Sequence, residues 1–165
     1  MSKTTITDKQ LKWQTIKRKA RELRGTTVTV GVHDDAGAHA DGDLSVAHLA
    51  AIHEFGTDRI PERSFMRATF DANRDKYTEM IKQAAHDVVV YGLGVQTAAR
   101  KLGVIASSDV KRTIQDGIEP DLADATKRAR DDKAAHGGGL ASMAQTYTPL
   151  IDSGQLIASI TFRVD

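Results

Sequence analysis

The sequence predicts an α+β domain in which a small antiparallel sheet packs with four to five helices, one of them long. Three observations carry this. Val28, Val30 and Val32 alternate with Thr27, Thr29 and Gly31, which gives a strand near residues 26–34 one apolar face. Ile160, Phe162 and Val164 alternate with Ser159, Thr161 and Arg163, which gives a second strand near 158–164. Between them, Met66, Phe70, Tyr77, Met80, Ala84 and Val88 recur in steps of three, four and seven, the spacing of one helix face. Two strands alone are marginal in water, so the matched apolar faces belong to one sheet laid on helices.

In chain order, Thr7 or Asp8 caps a first helix running to about Arg24, with Trp13, Ile16, Ala20 and Leu23 on one face. Lys12, Lys17, Arg18, Lys19, Arg21 and Arg24 make the rest of it basic. This is either a solvated face or a docking face for an acidic neighbour, and a DNA-binding regulator using this helix is a rival reading of the function. The first strand follows, then a polar Gly/Asp loop from Asp34 to Ser45. VAHLAAIHEF, residues 46–55, forms a short helix that Gly56 stops. Ile60-Pro61 is extended, because the residue before proline is driven from the helical region.

Ser64 caps the long helix, which runs to about Tyr91 and opens with Phe65, Met66 and Phe70. These three pack onto the helix that ends at Phe55. Gly92 and Gly94 break the chain before a further helix, about Val95 to Asp116, with Ala98, Leu102, Ile105, Val110 and Ile114 inward. Gly117 ends it, and Pro120 opens a short helix from Asp121 to about Asp132. Gly137, Gly138 and Gly139 begin a second loop reaching Thr148. Asp152 caps one or two turns over Gln155 and Leu156 before the last strand. The expectation is a single domain over 1–165 with flexible loops near 34–45 and 131–148.

With 40% hydrophobic and 27% charged residues the chain has an ordinary globular composition. Aromatics are only 5%, so Ala, Val, Ile and Leu carry the burial. A formal charge of +1 argues against attachment to nucleic acid by bulk charge. With no cysteine there is no disulfide, thiolate metal site or thiol nucleophile, which suits assembly in a cytoplasm. No apolar run approaches the roughly 20 residues of a membrane span, and the first ten residues lack an apolar signal region.

His33, Asp34, Asp35, His39, Asp41 and Asp43 are all metal-capable, but their spacing matches neither an EF-hand nor a zinc site. His48, His53 and Glu54 are the best case for a metal-dependent hydrolase. On a helix, zinc histidines stand four apart with the Glu directly after the first. Here they stand five apart and Glu54 follows the second, which favours a structural role, Glu54 pairing with Arg59, Arg63 or Arg67. No serine has a histidine at a recognisable nucleophile turn, and no acid/base carboxylate pair stands out. The residues alone describe an interaction domain with no catalytic residues, cofactor or metal.

EFGT (54–57), IPER (60–63) and SFMR (64–67) together resemble a signature of the neck and tail-completion proteins of tailed bacteriophages. TIQDGIEPDLADATKRA (113–129) and TPLIDSGQLIASITFRV (148–164) resemble that family's later segments, in the same order. The resemblance implies a non-enzymatic structural protein at the head–tail junction of a virion, completing the tail or joining it to the capsid. Tail terminator or collar protein is the nearest alternative. It also implies a six-fold or twelve-fold ring, with a portal-side connector on one side and a tail-tube or terminator protein on the other. DNA in the lumen would be touched without sequence readout, and no membrane is involved. The residues it singles out for structure and interface are Glu54, Phe55, Gly56, Ile60, Pro61, Arg63, Phe65, Arg67, Pro149, Leu150, Asp152, Gly154 and Leu156.

Overall fold

The computed structural model describes residues 4–37, 44–135 and 147–165, with side chains from residue 12 onward except 133 and 134. Its elements are α1 (Thr4–Gly25), β1 (Val28–Val32), a 3-10 turn (Asp34–Ala36), α2 (Val46–Phe55), α3 (Phe65–Ala72), α4 (Arg74–Val90), α5 (Val95–Gln115), α6 (Asp124–Ala135), α7 (Gln155–Ser159) and β2 (Ile160–Val164). The fold is α+β, with β1 and β2 forming a two-stranded antiparallel sheet. Thr27 and Asp165 extend the pairing by exchanging backbone bonds of 2.8 and 3.0 Å. No helix of the described residues is long and apolar enough to cross a membrane.

The chain divides into two compact units. One comprises Met1–Thr29, Arg74–Ile105 and Phe162–Asp165; the other comprises Val30–Asn73 and Ala106–Thr161. In the first, Val88, Val95 and Ala98 form a small core, joined by Leu23, Ala84 and Leu93. In the second, Val46, Ala50, Phe65, Val110, Ile114, Leu150, Ile151, Leu156 and Ile160 form the larger core, with Val30, Val32, Met66 and Phe70 against it. Phe65, Met66 and Phe70 thus share one core with Val46 and Ala50 of α2.

The helix expected over 64–91 is two helices. Asn73 interrupts it at φ −106°, and its side-chain amide donates to the Thr69 carbonyl at 2.9 Å, competing with the helical ladder. The apolar stripe continues through the break but serves two cores: Met66 and Phe70 the larger, Ala84 and Val88 the smaller. α5 is shared likewise, Ala98 going to one core and Val110 and Ile114 to the other.

Four further expectations change. α1 begins at Thr4, so Thr7 and Asp8 lie inside it rather than before its first turn. Its stripe is not buried: Trp13 is 55% exposed, and only Leu23 reaches the core. The helix after Pro120 starts at Asp124, beyond a cis Glu119–Pro120 bond. Of the two expected loops, 34–36 is the 3-10 turn and 131–135 the end of α6; His39, Asp41, Asp43 and 136–146 lie outside the described residues.

One glycine is explained by its neighbour. Gly103 stands inside α5, where glycine costs about 1 kcal/mol relative to alanine. A Cβ there would lie 2.3 Å from Cδ2 and 2.5 Å from Cγ of Phe162. The missing side chain is what lets β2 lay its ring on the helix.

Candidate interaction site

The second unit gathers most of the singled-out residues around Glu54. This carboxylate is only 5% exposed. Its Oε2 accepts the Met66 amide at 2.9 Å and its Oε1 the Arg67 amide at 3.0 Å. These are first-turn donors of α3, which have no partner within the helix. Ser64, the expected cap, makes no such bond. A buried anion at a helix N-terminus is favoured by the helix dipole as well. Sequence placed a cap next to the helix it caps; here it comes from the end of α2.

Arg67 completes the arrangement. Its Nε donates to Glu54 Oε1 at 3.1 Å, and one terminal nitrogen reaches the Glu54 carbonyl and Glu62 Oε1, both at 2.7 Å. The Glu54 bond, followed by the Glu62 charge, raises the Arg67 pKa. Of the three arginines offered as partners for Glu54, Arg67 is the one that binds it. Its guanidinium also lies 5.0 Å from the centre of the Phe55 ring, which is 65% exposed. Phe55 is therefore held on the surface by a cation–π contact.

Between Glu54 and α3 the chain makes a tight reversal. Gly56 has φ 71°, and a Cβ there would meet the Glu62 amide nitrogen at 2.8 Å and the Ile60 carbonyl oxygen at 3.0 Å. Thr57 closes the turn by donating its amide to the Ile60 carbonyl at 2.8 Å. The link then delivers Arg63 into the interior, 6% exposed. Its Nε donates to the Pro120 carbonyl at 2.6 Å and a terminal nitrogen to the Asp121 carbonyl at 2.9 Å. Burial lowers its pKa first; Asp121 opposes this and Arg130 adds to it.

Arg63, Ile60 and Pro61 face Leu150, Asp152, Gly154 and Leu156 across a cleft of about 410 Å3, which His53, Asp121, Leu122 and Arg130 also line. Leu150 and Leu156 are buried in the core beneath, and Leu150 sits at φ 66°, uncommon for a residue with a Cβ. Pro149 is buried beside it. At the start of α7 Ser153 Oγ accepts the Gln155 amide at 3.3 Å, and Asp152 Oδ1 lies 3.8 Å from Arg130 Nε. Arg130 also donates to the Thr148 carbonyl at 3.1 Å. Asp121 accepts from Lys127 at 2.7 Å and from the Leu122 amide at 2.6 Å, and both lower its pKa.

His53 has a buried Nδ1 without a hydrogen-bond partner among the described residues. Burial, then the Arg63 charge, lowers its pKa, so the ring is neutral near pH 7. His48 is exposed, and His33 Nδ1 lies 3.0 Å from Thr161 Oγ1. Among the described residues no three His, Cys, Asp or Glu side chains come together as a metal group.

Sequence reasoning missed Arg130, which has only its place on a polar helix to mark it. It also missed the buried Thr69, whose hydroxyl meets that of Thr113 at 2.6 Å. Comparison with family models, with curated proteins and with solved structures returns no match.

Proposed function

We propose that this chain is a structural, non-enzymatic virion protein of a tailed phage, part of the ring at the head–tail junction that completes the tail or joins it to the capsid. The observation that carries the proposal is a convergence. The segments that resemble the neck family, 54–67 and 149–156, stand far apart in sequence. Phe65 of one and Leu150 and Leu156 of the other share a core, and both segments line one cleft. Residues that act as a structural unit are what a family signature would preserve.

The exposed Phe55, steadied by Arg67, suits an interface anchor, since aromatic and arginine side chains dominate binding hot spots. A heterologous interface that closes on itself gives a ring. In this reading its neighbours are a portal-side connector and a tail-tube or terminator protein, and assembly takes place in the host cytoplasm. The test is electron microscopy of lysates from a phage lacking the gene. Filled capsids and separate, unjoined tails are expected. Joined, infectious particles would overturn the proposal.

A further inference from the structure

The net charge of the chain conceals a segregation. α1 carries seven Lys and Arg against two Asp and Glu, whereas the whole chain carries 23 against 22. The remainder is therefore acidic, 16 against 20, and the positive excess sits on one helix.

The orientation of α1 sorts these charges. Lys19 and Leu23, one turn apart, face inward: Lys19 Nζ donates to the Val88 carbonyl at 2.5 Å and Leu23 packs on the small core. At 100° per residue, Lys17, Arg21 and Arg24 then lie on the opposite side, with Arg18 beside them. All four are exposed, and none makes an ion pair with a described residue. Glu22, exposed and one turn on from Arg18, borders this face on that side. Trp13 borders it, 55% exposed, with Lys17 Nζ 5.2 Å from its ring.

We propose that the outward face of α1, through Lys17, Arg18, Arg21 and Arg24, binds the phosphate backbone of double-stranded nucleic acid without reading its sequence. Charge density favours a phosphate backbone. Residues 17 to 24 rise about 10 Å along the helix, so four cations face that length, with one carboxylate, Glu22, at the edge beside Arg18. Duplex DNA presents one charge per roughly 1.7 Å, about six in the same distance, half of them on the near side. Three of the four cations are arginines, whose planar fork matches phosphate oxygens in pairs. The proposal rests on the charge pattern of this chain and holds whether or not the protein belongs to a virion neck.

The test is fluorescence anisotropy with the full-length protein and labelled 30-bp duplexes of two unrelated sequences, from 50 to 200 mM salt. Equal binding of both duplexes is expected, with affinity falling linearly on logarithmic axes. The variant K17Q/R18Q/R21Q/R24Q should bind at least tenfold more weakly at 50 mM and lose about 0.9 of slope per phosphate contact removed. Should that variant not keep its helical circular dichroism, Arg21→Gln alone should reduce the slope by about 0.9. The control K82Q/K101Q changes two exposed lysines elsewhere and should bind as the original does. Absence of binding at 50 mM, equal loss in the control, or an unchanged slope in the α1 variants would overturn the proposal. So would self-association abolished by the α1 variant without DNA binding, which would assign this face to the acidic remainder of a second copy.

Discussion

Replacing Glu54 tests whether a side chain from α2 really starts α3. In Glu54→Ala the Met66 and Arg67 amides lose their acceptors, now 2.9 and 3.0 Å away. Loss of a capping side chain costs about 0.5–2 kcal/mol, and a donor left without a partner on burial costs about 1–3 kcal/mol. Together they place the change at about 1.5–5 kcal/mol. For a chain of this size each kcal/mol moves the melting midpoint by about 2–4 °C, so a fall of about 3–20 °C is expected by calorimetry. Two companions separate capping from the ion pair. Arg67→Met leaves both amides capped and should move the midpoint less, because the buried Glu54 carboxylate keeps its two amide donors and loses only a half-exposed guanidinium. Ser64→Ala should leave it unchanged, since that hydroxyl makes no cap bond. If Arg67→Met costs as much as Glu54→Ala, or Ser64→Ala costs more, the capping account is wrong.

Gly103→Ala sets propensity against packing: the helix alone would gain about 1 kcal/mol, while the clash with Phe162 should turn this into a net loss of about 1–3 kcal/mol. In a Phe162→Ala background the same change should become neutral or stabilising, and a midpoint raised in the original background would refute the contact. Phe65→Ala should cost about 3–5 kcal/mol in urea unfolding, since the ring is fully buried in the larger core; an unchanged midpoint would deny that burial. His53 gives a pH signature. Its folded pKa lies below the unfolded value of about 6.5, so the unfolded chain binds the proton more tightly and stability falls as pH drops from there towards the folded pKa. His53→Gln should lessen that acid loss in urea titrations at pH 7.5 and 5.5, and an equal loss in both proteins would remove His53 from the account.

Much of the fold was legible because it is written in short-range pattern. Alternation at Val28–Val32 and Ile160–Val164 gave both strands, and Gly56 and Gly92 marked real interruptions. The break at Asn73 was hidden, because the apolar stripe runs on in phase while changing the core it serves. Periodicity also reports that a face is apolar without saying that anything covers it: Trp13 shares a face with Leu23, yet Leu23 packs on the small core while Trp13 is 55% exposed. In the candidate site, Glu54, Arg63 and Arg67 were identified, but what they do was not. Glu54 caps a helix that begins 11 residues later, and Arg63 binds carbonyls 57 and 58 residues away. Such bonds depend on tertiary placement, which no local propensity encodes. Ser153, which the sequence did not single out, accepts the Gln155 amide at the start of α7, beside Gly154 at φ 77°.

The most direct test of the proposed function is a reconstruction of the neck of virions that carry this gene. The account predicts the chain in a closed six-fold or twelve-fold ring between the portal and the tail tube, with Phe55 and Arg67 at a subunit or ring-to-ring contact. Its absence from purified virions, or its location away from the head–tail junction, would contradict it.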